Sequence, residues 1–233
     1  MDKIYDYAIA GTGVAGLSLA YFLHQEGLLH NKTLLMIDQR RPEVNDKTWS
    51  FWHQEPIPFS DLAYARYNNF TFQGPGFHTQ KTMMPYQYSM IRAIDFYNFM
   101  LNILEKLPNI TWHFDKIMGI TAGEPVKIKT ENQIVFAAHL CFNSAFPNYL
   151  PANPRRYIHL KQHFLGWVVN FQQPVFETDT FTIHDFDIPQ QDKMQFVYIL
   201  PYNEREALVE FTIFSEELVP EEYYENNLYE YLE

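Results

Sequence analysis

The sequence predicts an α/β protein of two domains: a Rossmann-like dinucleotide-binding domain over residues 1–150, then a β-rich domain over residues 151–233. Three observations carry this. A strand-like opening runs directly into a glycine triplet. Short strand-like segments punctuated by Gly and Pro dominate the later chain. A crossing that holds Pro147, Pro151 and Pro154 separates the two regions.

The first element is the strand-like run Lys3 to Ala10, followed by Gly11-Thr12-Gly13-Val14-Ala15-Gly16. A helical pattern with Leu17, Ala20, Tyr21, Phe22 and Leu23 apolar follows and stops near Gly27. Leu34-Leu35-Met36-Ile37-Asp38 is then a short apolar strand ending in an acid. The three glycines serve different physical ends. Gly11 permits the tight turn, Gly13 lets a pyrophosphate approach the backbone, and Gly16 lets helix and strand pack closely. The phosphates meet a helix N-terminus. Asp38 is expected to accept hydrogen bonds from an adenosine ribose, and its charge disfavours a 2′-phosphate. The motif does not choose between NAD and FAD, although a triplet at the start of a chain is common in flavoproteins whose substrate domain comes later.

An aromatic cluster, Asp46-Lys47-Thr48-Trp49-Ser50-Phe51-Trp52, follows a polar loop. It reads either as a loop packed on the core or as a wall of a ligand pocket. Tyr88 to Leu101 opens β-like and becomes an amphipathic helix reaching about Leu107, stopped by Pro108. Arg92, near its start, is either a surface cation or a brace for a cofactor pyrophosphate or flavin edge. Residues 109–142 read as a small antiparallel meander, with Leu140 to Ser144 returning to the dinucleotide sheet and Cys141 as core.

Beyond the crossing, Leu165 to Val169, Thr180 to Ile183 and a hairpin from Phe196 to Phe214, turning near Asn203 to Glu206, make the second domain. In its last strand Glu210 sits in the run Leu-Val-Glu-Phe-Thr-Ile-Phe. Ionised carboxylates are rarely buried without a partner, so either this face is wet or Glu210 has a chemical role. His159 and His163 have the spacing of a helical metal pair, but their surroundings are strand-like and no third ligand is in reach, so no metal site is expected.

The 233 residues are 47% hydrophobic and 17% aromatic, with 20 Phe and 16 Tyr. This suits a large flat or linear apolar ligand, although large mixed sheets also use aromatics. The net charge of −11 is concentrated at the end, where ten Glu stand against Arg205 between Glu204 and Glu233. With no basic run, neither nucleic acid nor electrostatic docking on anionic lipid is expected. A single cysteine excludes an intrachain disulfide and fits a reducing compartment. No secretory signal and no stretch near the ~20 apolar residues of a span is read, so a cytoplasmic protein is expected.

The order Gly-x-Gly-x-x-Gly, Asp-Lys-Thr-Trp-Ser-Phe-Trp, Gln162-His163-Phe164-Leu165-Gly166-Trp167, Phe196 to Pro201 and Leu208 to Ser215 resembles the bacterial lycopene β-cyclases over essentially all of the chain. That resemblance implies a fold similar to the flavin hydroxylases. It also implies FAD, used in its reduced form, and closure of the linear ends of lycopene into β-ionone rings without net redox change. On it, Glu210 matches the catalytic acid, and Gly11, Gly13, Gly16 and Asp38 match flavin-binding positions, with Arg92 a looser match. Trp49, Trp52 and Trp167 become candidate pocket faces for a carbocation. The substrate implied is a linear carotene taken up by apolar contact at the inner membrane, by a protein peripheral to it. An acid of this kind must be protonated: lifting a Glu from about 4.3 to about 7 takes about 3.7 kcal/mol, which an apolar pocket supplies.

Family members run beyond this length and complete the cofactor site with a later glycine-rich segment. Here the chain stops at Glu233 within a helical pattern, so a C-terminal truncation is expected. A flavin monooxygenase or oxidoreductase is the rival reading. It usually carries Asp-Gly at the returning strand, where this sequence has Asn143-Ser144-Ala145-Phe146. An inactive, truncated flavin-binding module is the third.

Overall fold

The computed structural model describes residues 3–144 and 158–233. Its first elements are β1 (Ile4–Ala10), α1 (Val14–Gln25), β2 (Leu34–Asp38), β3 (Thr48–His53), β4 (Ala65–Tyr67), β5 (Asn69–Gly74), β6 (Phe77–Thr82) and β7 (Gln87–Arg92). Next come α2 (Ala93–Leu104), β8 (Ile110–Phe114), β9 (Ile117–Thr121), β10 (Val126–Thr130) and β11 (Val135–Asn143). The last are β12 (Lys161–Asn170), β13 (Thr180–Asp185), β14 (Met194–Pro201), β15 (Glu206–Ser215) and α3 (Glu221–Leu232).

The described residues form two compact units, 3–48 with 92–144, and 49–91 with 158–233. The first is built on a six-stranded sheet in the order β8-β2-β1-β11-β10-β9. Its parallel strands are covered on both faces, so β2 reads as an unbroken apolar run and Leu34 to Ile37 are all fully buried. Helix α2 presents Ala93, Phe96, Tyr97, Met100, Leu101 and Leu104 inward at helical spacing and packs beside α1.

One segment differs from the sequence reading. Ile110–Phe114 reads as part of an antiparallel meander, but β8 lies parallel to β2, with Leu34 opposite Ile110. The helix before it is a crossover, and a crossover delivers a parallel strand. The antiparallel part is confined to β9, β10 and β11, and β11 returns alongside β1 with Cys141, half-buried, opposite Ala8.

The second unit holds a six-stranded sheet, β12-β15-β14-β13-β5-β6, and a three-stranded one, β3-β7-β4. Residues 49–91, which the sequence reading leaves with the dinucleotide half, belong here because β5 pairs in parallel with β13. A single cut at 150 therefore misses this insertion. The Pro-rich crossing itself lies outside the described residues. The β14–β15 hairpin closes where Asn203 Oδ1 accepts from the Arg205 and Glu206 amides.

Strand β15 has two different faces. Ala207, Val209, Phe211 and Ile213 are buried against Tyr224 and Leu228 of α3. Leu208, Glu210 and Thr212 point the other way, and Leu208 joins a second cluster with Tyr67, Met90, Phe181 and Leu200.

Candidate functional site

In the first unit, the glycine-rich turn sits where β1 ends and α1 begins. Gly11 has φ +103°, and a Cβ there would meet Ser144 Oγ at 2.2 Å. A Cβ on Gly16 would lie 2.0 Å from the Gly11 carbonyl oxygen, so its bareness sets the close packing of helix on strand. Gly13, by contrast, has nothing within 4 Å of a Cβ position. That open space beside the first turn of α1, whose N-cap has no side-chain partner, is what a phosphate needs to reach backbone N–H groups.

Asp38 ends β2 and is already engaged. Its Oδ2 accepts from the Thr12 amide (2.6 Å) and the Thr12 hydroxyl (3.0 Å), and its Oδ1 accepts from the Gln39 amide (2.7 Å). The carboxylate thus pins the glycine-rich turn to the neighbouring strand, and Oδ1 keeps a lone pair for a further donor. Beside it is a cavity of about 120 Å³ lined by Thr12, Gly13, Asp38, Arg41, Lys47 and Tyr97, among others. Thr12 has no signature of its own in the sequence, since the middle position of a Gly-x-Gly accepts many residues. Arg92 is the N-cap of α2, and its guanidinium forks onto Asp95 at 2.7 and 3.1 Å. It does not line that cavity.

In the second unit, Glu210 lies between two neighbours on its own face of the sheet, Gly166 of β12 and Tyr198 of β14. It is partly buried, and no hydrogen bond or ion pair reaches its carboxyl among the described residues. Burial alone pushes its pKa from 4.5 up to about 7, so the acid holds its proton into the neutral range. Tyr198, whose phenol is driven up by burial, meets the Tyr88 hydroxyl at 3.0 Å. Tyr88 stacks on Phe181 (4.3 Å, 15°), and Trp52 lies 4.6 Å from the Tyr88 ring.

The three tryptophans therefore divide. Trp52 belongs to the ring cluster that reaches Tyr198. Trp49 is half-buried on β3, and strand alternation places it on the opposite face from Trp52. Trp167 is expected from sequence to face the same pocket as Glu210, and here the structure corrects the sequence reading. It lies opposite Val209, with its ring 4.8 Å from Tyr229 in the core beneath α3, on the far face of the sheet from Glu210. Adjacency to Gly166 in the chain is what turns it away. The residues that sequence reasoning passes over are Gly166, Tyr198, Tyr88 and Phe181. A glycine inside a strand run is the available signal for Gly166, whereas the tyrosines come together only through long-range pairing.

The histidine pair also separates in role. His163 bridges Ser215 (Nε2 to Oγ, 2.8 Å) and the Tyr224 hydroxyl (Nδ1, 2.5 Å), tying α3 to the sheet. No group of three metal-ligating side chains occurs among the described residues.

The family model described as "Lycopene cyclase protein" matches residues 6–233. No curated protein matches the chain. Among solved structures, a probable FAD-dependent monooxygenase from Pseudomonas aeruginosa is 11% identical, with 90% of this chain and 60% of that one covered at TM-score 0.58. A geranylgeranyl bacteriochlorophyll reductase-like protein from Thermoplasma acidophilum is 14% identical, with 99% and 62% covered at TM-score 0.64. Halogenase PltM in complex with phloroglucinol and FAD is 14% identical, with 98% and 55% covered at TM-score 0.64. At such identities the likeness is one of fold. The chain spans 55 to 62% of the length of these structures.

Proposed function

The chain belongs to the lycopene cyclase family, and from that we propose that it is a lycopene β-cyclase in which Glu210 is the acid. The observation that carries the reading is a partly buried carboxyl with no hydrogen-bond or ionic partner among the described residues, raised to about 7 by burial, on a face where Tyr198, Tyr88, Phe181 and Trp52 gather. An acid catalyst needs the proton retained near neutrality and delivered where water is scarce.

The chemistry asks little else of the protein. The Glu210 O–H bond breaks as the terminal alkene of a linear carotene uses its electron pair to form a C–H bond. The resulting tertiary cation is attacked by an internal double bond, which closes the ring. Loss of a ring proton, which in net restores the Glu210 acid, then forms the new double bond, so composition and electron count are unchanged and the reaction is an isomerisation. Electron-rich rings lower the energy of the cationic stages, and Trp52, Tyr88 and Tyr198 are the faces proposed for this. Trp49, on the other side of β3, is kept only as a wall of the same insertion.

We also read the first unit as the seat of FAD. Gly13 leaves the space for the pyrophosphate, Gly11 and Gly16 fix the turn, and the remaining lone pair on Asp38 Oδ1 accepts from a ribose hydroxyl. Arg92, already forked onto Asp95, is proposed as an outer brace. FAD in the reduced form would supply an electron-rich ring system without net electron transfer. The FAD named with one neighbouring halogenase supports the assignment by fold likeness. No helix among the described residues is long and apolar enough to cross a membrane, and we propose peripheral uptake of the carotene from the cytoplasmic side of the inner membrane.

The test expresses the full reading frame, wild type and Glu210→Gln, in cells that accumulate lycopene. β-Carotene that forms with the wild type and not with the variant is expected. Unchanged lycopene from a folded, FAD-loaded protein would overturn the cyclase reading in favour of a flavin monooxygenase.

A further inference from the structure

Gly166 stands directly across from Glu210 on the edge strand β12. A Cβ at that position would fall 2.9 Å from Glu210 Cγ, 3.4 Å from its Oε1 and 3.2 Å from Leu208 Cδ1. The 2.9 Å approach is shorter than real Cβ atoms make and the 3.2 Å one is tight, so a neighbour would have to shift. Leu208 is buried in the aromatic cluster. Glu210 has no hydrogen bond among the described residues to hold it in place, and it would be the one to swing.

The backbone does not explain the glycine. Gly166 has no positive φ and lies within a regular ten-residue pairing with β15. A strand interior disfavours glycine, because it packs nothing and loses the most freedom on folding. On the same face, two residues to either side, the strand carries Phe164 and Val168. Bulk is thus present along this face of β12 and missing where the strand passes Glu210.

We propose that Gly166 is a positioning residue for Glu210: its missing side chain keeps open the slot in which the partly buried acid lies across β12, beside Tyr198. This rests on the reading of Glu210 as the acid. Among the described residues, the groups that face Glu210 are Leu208 and Thr212 along β15, Tyr198 on β14 with Tyr88 of β7 behind it, and Phe164 and Val168 on β12. None of them carries a charge. Desolvation therefore sets the proton affinity of the acid, and the slot sets the desolvation. A methyl at position 166 turns the carboxyl outward, where it ionises more readily.

The experiment follows the protonated-carboxyl C=O band of the holoprotein by difference infrared spectroscopy against pH, with Glu210→Gln as the blank, in wild type and Gly166→Ala. The expected result is a titration midpoint near 7 in the wild type and, in Gly166→Ala, an acid dissociation constant raised by about tenfold or more, with a melting temperature that is unchanged or higher. A merely structural glycine would alter the melting and leave the midpoint in place, and that outcome would overturn the proposal. If Gly166→Ala does not fold, Gly166→Ala with Glu210→Ala decides: recovery of folding locates the clash at Glu210, as expected, and equal failure overturns it. Both readouts are independent of turnover, so a failure of this proposal is told apart from a failure of the cyclase reading, which the pigment assay reports.

Discussion

The hydroxyl of Tyr198, on the strand beside Glu210, meets the hydroxyl of Tyr88, on the three-stranded sheet, at 3.0 Å. With the Tyr67 hydroxyl donating to the Pro201 carbonyl and Tyr88 stacked on Phe181, this contact fastens the two sheets of the second unit together on the face that carries the acid. Tyr198→Phe keeps the ring and loses the hydroxyl, and it is expected to cost about 1 kcal/mol of stability with little change in cyclisation. Tyr198→Ala removes the ring face and is expected to slow cyclisation by about tenfold or more. Melting curves and pigment conversion rates, taken side by side, check both.

Glu210 also predicts a pH signature in stability. Its folded pKa of about 7 lies above the usual 4.5. Below pH 4.5 both states are protonated and the group is neutral to folding. Between 4.5 and 7 the unfolded chain ionises first, so the native state loses stability as pH rises, and above 7 the loss is constant. Glu210→Gln removes it. The variant is expected to match the wild type near pH 4 and to exceed it at pH 8 by at most about 3 kcal/mol, less where water reaches the carboxyl. Denaturant melts at the two pH values measure the difference.

The glycine-rich turn separates packing from binding. Gly16→Ala forces a methyl to within 2.0 Å of the Gly11 carbonyl oxygen, and α1 must move off β1. A loss of about 3 kcal/mol or more is expected, along with the flavin. Gly13→Ala meets nothing. Its stability should hold or rise by up to about 1 kcal/mol, while its affinity for FAD falls at least about tenfold, because the methyl fills the space left for the phosphates. Flavin retention on gel filtration, set against melting temperature, tells the two apart.

Two tryptophans make a parallel contrast. Trp167→Ala leaves a hole in the cluster beneath α3 and is expected to cost about 3 kcal/mol, with cyclisation by the folded fraction preserved. Trp52→Ala, at a side chain 45% exposed, is expected to change stability by less than about 1 kcal/mol and to slow the reaction. Conversion per folded molecule is the deciding quantity.

How far the sequence discloses such features depends on their range. The turn at Gly11 to Gly16 and the strand ending in Asp38 are local, and spacing alone places them. Glu210 is legible as an anomaly, a charge in an apolar run, but its partners are not. Tyr198 reaches it across a hairpin whose strands and turn are legible locally, whereas Gly166 reaches it through a pairing that spans 44 residues, which no local pattern encodes. Trp167 shows the converse hazard: a residue next to the right glycine points to the wrong face, because strand register decides sides one residue at a time. The parallel placement of β8 is hidden for a similar reason, since an aromatic strand reads the same in either direction.

The pairing of β5 with β13 also dictates a timetable for the nascent chain. Phe70 meets Phe181 only after more than 100 further residues have left the ribosome. At a synthesis rate of about 5–20 residues per second, the β5–β6 ribbon waits several seconds or more with one edge uncovered. During that interval it is a template for any other extended chain, while the first unit, itself interrupted by this insertion, is still being made. Phe70 and Phe72 on that ribbon are then the side chains a holdase chaperone would have to shield during those seconds.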